Sequence, residues 1–304
     1  MKKKLLLVDA FSQVFRGYFA VRALSTAAGV PTNAVFAMTK LLMKLQQDYG
    51  DHDGAFVFDK GKCTARLALA PAYKANRPPM PEELRVQMEP IRNMIRAFGW
   101  PIVESEGYEA DDLIGAAAMA DAEREVLILS SDKDLSQLIN GRVRMLVPDR
   151  DGKGLLVRDI EATREKFGVP PEGIVDYLSL IGDSSDNIPG VEGVGPKTAA
   201  SLIAQFGSIE AMLTAPEKIA KENLRTKILN AKETLILNRK LILLNFAAPL
   251  EGASFTKAEP DYGKIRELAE QAELKSILKE LEKKSPAPAP EPKTSGGTQM
   301  TFDF

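Results

Sequence analysis

The sequence predicts an α/β fold on a mainly parallel sheet, and three observations carry the prediction. Short apolar runs without polar alternation recur along the first part of the chain, as expected of strands covered on both faces. Segments of helical periodicity separate them, the alternation of an α/β domain. Finally, the runs end in carboxylates, and open α/β sheets bind ligands in the crevice beyond the C-terminal strand ends.

In order, strands are expected at 5–8, 55–58, 126–129 and, more weakly, 101–103, with helices over 34–47, 81–98 and 111–123. LLLV runs into Asp9, AFVF into Asp59, and VLILSS into Asp132 and Asp134. A Pro- and Gly-bearing stretch, 182–196, leads into a mainly helical part in which LILL at 241–244 is the one strand signal. From 285 the composition changes to SPAPAPEPKTSGGT, which lacks core-forming residues and is expected to be extended and mobile. The expected domains are therefore a core at 1–180, a helical part at 181–284 and a tail at 285–304.

With 304 residues, 44% hydrophobic and 27% charged, the chain can bury a sizeable core. A net charge of -2 neither demands nor forbids a nucleic-acid partner, because local fields matter more than totals. One cysteine, Cys63, excludes an internal disulfide, and one histidine, His52, excludes a Cys/His zinc site, so any metal must be held by oxygen. The apolar run after MKKK is four residues long, too short for a signal sequence or a membrane span. A reducing cytoplasm is the expected compartment.

Beyond the strand ends, EADD places Glu109, Asp111 and Asp112 at a helix start, and GDSSD supplies Asp183 and Asp186. Capping accounts for such carboxylates singly, but the set would repel itself if packed together without compensation. Hard oxygen ligands select Mg²⁺ or Mn²⁺, and two such ions about 4 Å apart serve phosphodiester cleavage. Residues 60–100 carry eight Lys or Arg against three Glu. Within YKANRPP, Tyr73, Lys74 and Arg77 suit phosphate binding and base stacking; Arg16 is a similar candidate. Gly193 and Gly195 expose backbone N–H groups to an oxygen ligand and Lys197 adds charge at the next helix start, a grip for a duplex backbone. GxxxxGK[ST] and GxGxxG are absent.

LLLVDA, FDKG, YKANRPPMPEEL, GYEADD, SSDKDLSQL, GDSSDNIPGVEGVGPKTA and FGSIEAML together resemble the 5'-nuclease family, specifically the flap-endonuclease-like bacterial 5'-3' exonuclease domain, over residues 3–250. The resemblance implies a twisted sheet flanked by helices, a helical arch at 60–100 and a helix-three-turn-helix unit that binds duplex DNA and often K⁺. It implies one metal centre at Asp9, Asp59, Glu109 and Asp111, and a second at Asp132, Asp134, Asp183 and Asp186, with Asp112 bridging or behind them. Lys74 and Arg77 would engage the scissile phosphate, Arg16 the 5' region, and Gly193, Gly195 and Lys197 the duplex. The implied activity is metal-dependent 5'-3' exonuclease and flap cleavage in replication and repair, by a nucleoid-associated monomer paired with a polymerase in trans. Two departures stand out: TARLALAPAYK is rich in alanine, and Asp9 is followed by Ala-Phe-Ser.

QMTFDF resembles a sliding-clamp peptide, with Gln299 as polar anchor and Phe302 and Phe304 as plugs. Two other readings of the residues remain at this point: a Toprim-type Mg²⁺ phosphotransfer enzyme using Asp132 and Asp134, and a catalytically silent DNA- or clamp-binding adaptor.

Overall fold

The computed structural model describes residues 4–149 and 154–284. β1 (Leu5–Asp9) leads into α1 (Ala10–Ala20) and α2 (Asn33–Tyr49). β2 (Asp53–Val57) is followed by α3 (Thr64–Leu69), α4 (Glu82–Arg85) and α5 (Met88–Ala97). β3 (Ile102–Val103) precedes α6 (Ala110–Ala120), and β4 (Val126–Leu129) precedes a 3-10 turn at Asp134–Leu138. β5 (Val143–Pro148) and β6 (Leu155–Arg158) complete the sheet, and α7 (Ile160–Phe167) and α8 (Ile174–Ile181) follow. The remaining helices are α9 (Pro196–Phe206), α10 (Ile209–Thr214), α11 (Glu222–Asn230), α12 (Lys232–Ile242), α13 (Tyr262–Gln271) and α14 (Lys275–Lys284).

The sheet runs β3-β2-β1-β4-β5-β6 and is parallel except at the β5–β6 pair. Residues in a strand alternate between faces, so Leu6 and Val8 of β1 join the core beneath α2 and α5, whereas Leu5 and Leu7 join the one beneath α6. Each such side chain stabilises the fold by about 1.5–3 kcal/mol, which is why the unbroken run LLLV forms a central strand. A third core, including Ile174, Leu178, Ile203 and Leu235, holds the helical part together.

Three differences from expectation have physical causes. The 81–98 helix is split at Val86 and Gln87. Gln87 is buried there, and its side-chain oxygen accepts from the Ala34 and Val35 N–H groups at 2.8 and 3.1 Å, capping α2 where Thr32 makes no side-chain cap. Within the 60–100 stretch expected to hold the arch, α5 buries Ile91, Met94 and Ile95 in the core. LILL at 241–244 is no strand: it closes α12 and leaves it, with Leu241 and Ile242 packed among helices, Leu244 on the α6 face of the sheet and Leu243 exposed. Lastly, 181–284 is not one packing unit, since Ile265, Ala269, Leu274, Ile277 and Leu281 of the α13–α14 region bury into the same core as Leu6 and Phe56.

Candidate active site

Parallel strands end at a common edge, and that edge gathers the carboxylates. Asp9 is both the last residue of β1 and the N-cap of α1, accepting from Ser12 N–H at 3.1 Å and from the Ser130 hydroxyl at 2.6 Å. Asp59, just beyond β2, accepts from Ala110 N–H at 2.7 Å and thereby fixes where α6 starts. That start carries Glu109 as N-cap and Asp111 and Asp112 in the first turn, where the helix dipole favours negative charge. Asp132 follows β4, and its carboxylate accepts from Asp134 N–H at 2.9 Å. Asp9, Asp59, Asp111 and Asp132 line one cavity of about 550 Å³ together with Arg16, Lys74 and Arg77.

Asp134, Asp183 and Asp186 form an adjoining set, with ligand oxygens all within 4.8 Å of one another. The Asp134 Oδ1 is buried and accepts no hydrogen bond among the described residues. A buried orphan oxygen on a carboxylate grouped with two others is costly unless a cation meets it, and every donor in both sets is a hard oxygen. The residues therefore fit a divalent ion of the Mg²⁺ or Mn²⁺ type.

The charge state agrees with that fit. Burial, then the neighbouring Asp132 and Asp59, push the Asp9 carboxyl up to about 7 against the opposing Ser130 and Ser12 hydrogen bonds. Burial likewise raises Asp59 and Asp132, and burial followed by like charge raises Asp111 and Asp134 well above the usual range. Asp183 goes the other way: burial raises it, but Ser185 and Lys133 outweigh that, Lys133 pairing with it at 3.0 Å.

Lys74 and Arg77 enter the same space. Lys74 Nζ lies 2.5 Å from Glu109 and 3.6 Å from Asp186, and Arg77 lies 2.5 Å from Asp186. Lys74 holds φ at 57°, a conformation an L-residue adopts at a cost, fixed by its N–H donating to the Asp186 carbonyl at 3.0 Å. The expectation that Tyr73 stacks on a base is corrected: its ring is buried and its hydroxyl donates to Glu109 at 3.0 Å and Asp186 at 3.1 Å.

Asp112, expected to bridge the metal centres or lie behind them, is held by Arg66. It is 1% exposed and forms a two-pronged pair with Arg66 at 2.7 and 2.8 Å, while also accepting from Asn245 N–H at 2.9 Å. Gly193, Gly195 and Lys197 do not line the acidic cavity; they are exposed, the glycines on the turn before α9 with Gly193 at φ +77° and Lys197 in its first turn. Gln299, Phe302 and Phe304 lie outside the described residues. Sequence reasoning missed Arg66, Ser130 and Lys133. Ser130 stood in the VLILSS run and Lys133 inside SDKD, but Arg66 sits in an alanine-rich stretch where nothing marks it as buried.

An α/β sheet with clustered carboxylates at its C-terminal edge, cations beside them and an appended helical domain defines a nuclease class. Two family descriptions match successive parts of the chain: "5'-3' exonuclease, N-terminal resolvase-like domain" over residues 4–168 and "5'-3' exonuclease, C-terminal SAM fold" over residues 169–262. The chain belongs to the 5'-3' exonuclease family. It is 38% identical over 285 residues to a 5'-3' exonuclease of Aquifex aeolicus, covering 92% of this chain and 96% of that one. DNA polymerase I of Bacillus subtilis is 39% identical over 253 residues, 82% of this chain but 29% of that protein. Among solved structures, zinc-bound T5 5'-exonuclease superposes with a TM-score of 0.64 at 21% identity, covering 92% of this chain and 99% of that one. The Rad2 catalytic core in complex with DNA substrate gives 0.62 at 17%, covering 92% and 93%.

Proposed function

We propose that this protein is a Mg²⁺- or Mn²⁺-dependent 5'-3' exonuclease and 5'-flap endonuclease that hydrolyses DNA phosphodiesters in replication and repair, leaving 5'-phosphate and 3'-hydroxyl ends. One observation carries the reading: Lys74 and Arg77 share a cavity with Asp9, Asp59, Asp111 and Asp132, beside the triad Asp134, Asp183 and Asp186. Cations and metal-binding carboxylates in one space suit a phosphodiester, whose charge each partner must meet.

Asp9, Asp59, Glu109 and Asp111 would hold one ion, and Asp132, Asp134, Asp183 and Asp186 would hold the second. Bound there, the ions would supply charge neutralisation and an activated water. Lys74 and Arg77 bind the non-bridging phosphate oxygens and stabilise charge that develops on them. Ser130 and Ser12 orient Asp9, and the Tyr73 hydroxyl bridges Glu109 and Asp186. Arg16, exposed at the cavity rim, steadies the 5' strand. The α9 turn grips duplex DNA through Gly193, Gly195 and Lys197, with K⁺ as its ion, and the tail peptide meets a sliding clamp. The protein acts as a cytoplasmic monomer, with a polymerase in trans. Related proteins support this reading, since a T5 flap endonuclease is described in complex with DNA and metal ions.

The test is cleavage of a 5'-labelled flap duplex with and without Mg²⁺, comparing the wild type with Asp111→Asn. Metal-dependent short products, lost in the variant while DNA binding persists, support the reading. Intact binding with no wild-type cleavage in Mg²⁺ or Mn²⁺ overturns it in favour of an adaptor.

A further inference from the structure

Arg66 has no part in the mechanism above, yet it is a guanidinium 5% exposed at the back of the site. Its fork pairs with Asp112, and the same Nη1 donates to Glu109 at 2.9 Å. On its other side Nε donates to the Leu241 carbonyl at 2.7 Å and Nη2 to the Leu243 carbonyl at 3.4 Å. Those carbonyls belong to the end of α12, the last helix of the helical domain, and Asn245 just beyond donates its N–H to Asp112 at 2.9 Å. Cys63, Glu109 and Asp112 would otherwise offer three ligand atoms to an ion, but the guanidinium occupies that space. One side chain thus joins α3, the start of α6 and the exit from the helical domain.

We infer that Arg66 is a positioning residue that couples the seating of the duplex-binding half to the placement of Glu109. The inference rests on the nuclease reading above. The chemistry selects arginine: five donors in a rigid fork satisfy two carboxylates and two carbonyls at once, and a lysine has three donors and no fork. Asp112 balances the charge, so Glu109 keeps its second oxygen, Oε1, for the front of the site, where Lys74 meets it. Partners of this kind behind a metal ligand change affinity or activity by about 10–100-fold when lost.

Arg66→Lys tests this in the full-length protein, by single-turnover cleavage of a flap duplex across a Mg²⁺ titration. Flap-DNA affinity in EDTA, measured by fluorescence anisotropy, and the melting temperature are read alongside. The expected result is a cleavage rate lower by about 10–100-fold, a Mg²⁺ midpoint raised at least several-fold, and DNA affinity in EDTA within about threefold of wild type. Asp112→Asn, which preserves volume and a capping oxygen, should give the same split should the lysine variant fail to fold. A folded Arg66→Lys with wild-type rate and Mg²⁺ midpoint overturns the inference, as does a rate loss matched by equal loss of DNA affinity. Absence of cleavage by the wild type itself sinks the nuclease reading instead.

Discussion

Replacing Asp9 by asparagine should destroy activity and yet stabilise the ion-free protein at alkaline pH. The Asp9 carboxyl rises from 3.8 to about 7 on folding, chiefly through burial. Between those values the folded protein retains a proton that the unfolded chain has lost, so stability falls as pH rises through this window, and above it the full penalty stands. The penalty corresponds to about 4 kcal/mol. Asparagine keeps an oxygen for Ser12 N–H, and the charged hydrogen bonds it gives up are already contained in the rise to about 7. The expectation in EDTA is a gain of up to about 4 kcal/mol at pH 8. At pH 4, where the folded Asp9 carboxyl is itself neutral, the gain disappears. Urea denaturation in EDTA at the two pH values measures this directly, and Mg²⁺ should then stabilise the wild type more than the variant. A variant less stable than wild type at pH 8 in EDTA would refute burial as the dominant influence on Asp9.

Three further outcomes are expected. Tyr73→Phe should cost about 1–3 kcal/mol in urea denaturation, because Glu109 and Asp186 lose a shared donor, with cleavage slowed while flap-DNA affinity holds. Gly99→Ala should destabilise the fold by more than about 2 kcal/mol, since Gly99 has φ +79° and a Cβ would come 2.1 Å from the Ala258 carbonyl oxygen; a Tm shift below a degree would contradict the docking of that segment. Lys197→Ala should reduce the salt slope of flap-DNA binding by about one while leaving single-turnover cleavage of saturated enzyme unchanged, and an unaltered slope would remove Lys197 from the DNA path.

The four strands read from sequence were legible because both faces of each are buried, leaving unbroken apolar runs. The carboxylates were legible because parallel strands bring their C-terminal ends together whatever the loops do. β5 and β6 were not, since Arg144 interrupts the first and Leu156 and Val157 of the second face solvent at the sheet edge. The split at Gln87 was hidden because it depends on a cap given to a helix more than fifty residues earlier. Tyr73 looked like a stacking ring, and only tertiary packing turns it inward. Arg66 was read as one charge of a basic stretch, for burial of a guanidinium leaves no mark on local periodicity.

The insertion of α13 and α14 beneath the sheet has a consequence for biosynthesis. While the ribosome adds the residues between 168 and 262, the finished α/β segment exposes the apolar patch that Ile265, Ala269, Ile277 and Leu281 will later cover. At usual elongation rates that interval lasts on the order of ten seconds. A nascent chain held open for that long exposes the kind of apolar surface that chaperones cover, and a truncated product ending at the first family boundary should be recovered as aggregate rather than as a working half-enzyme.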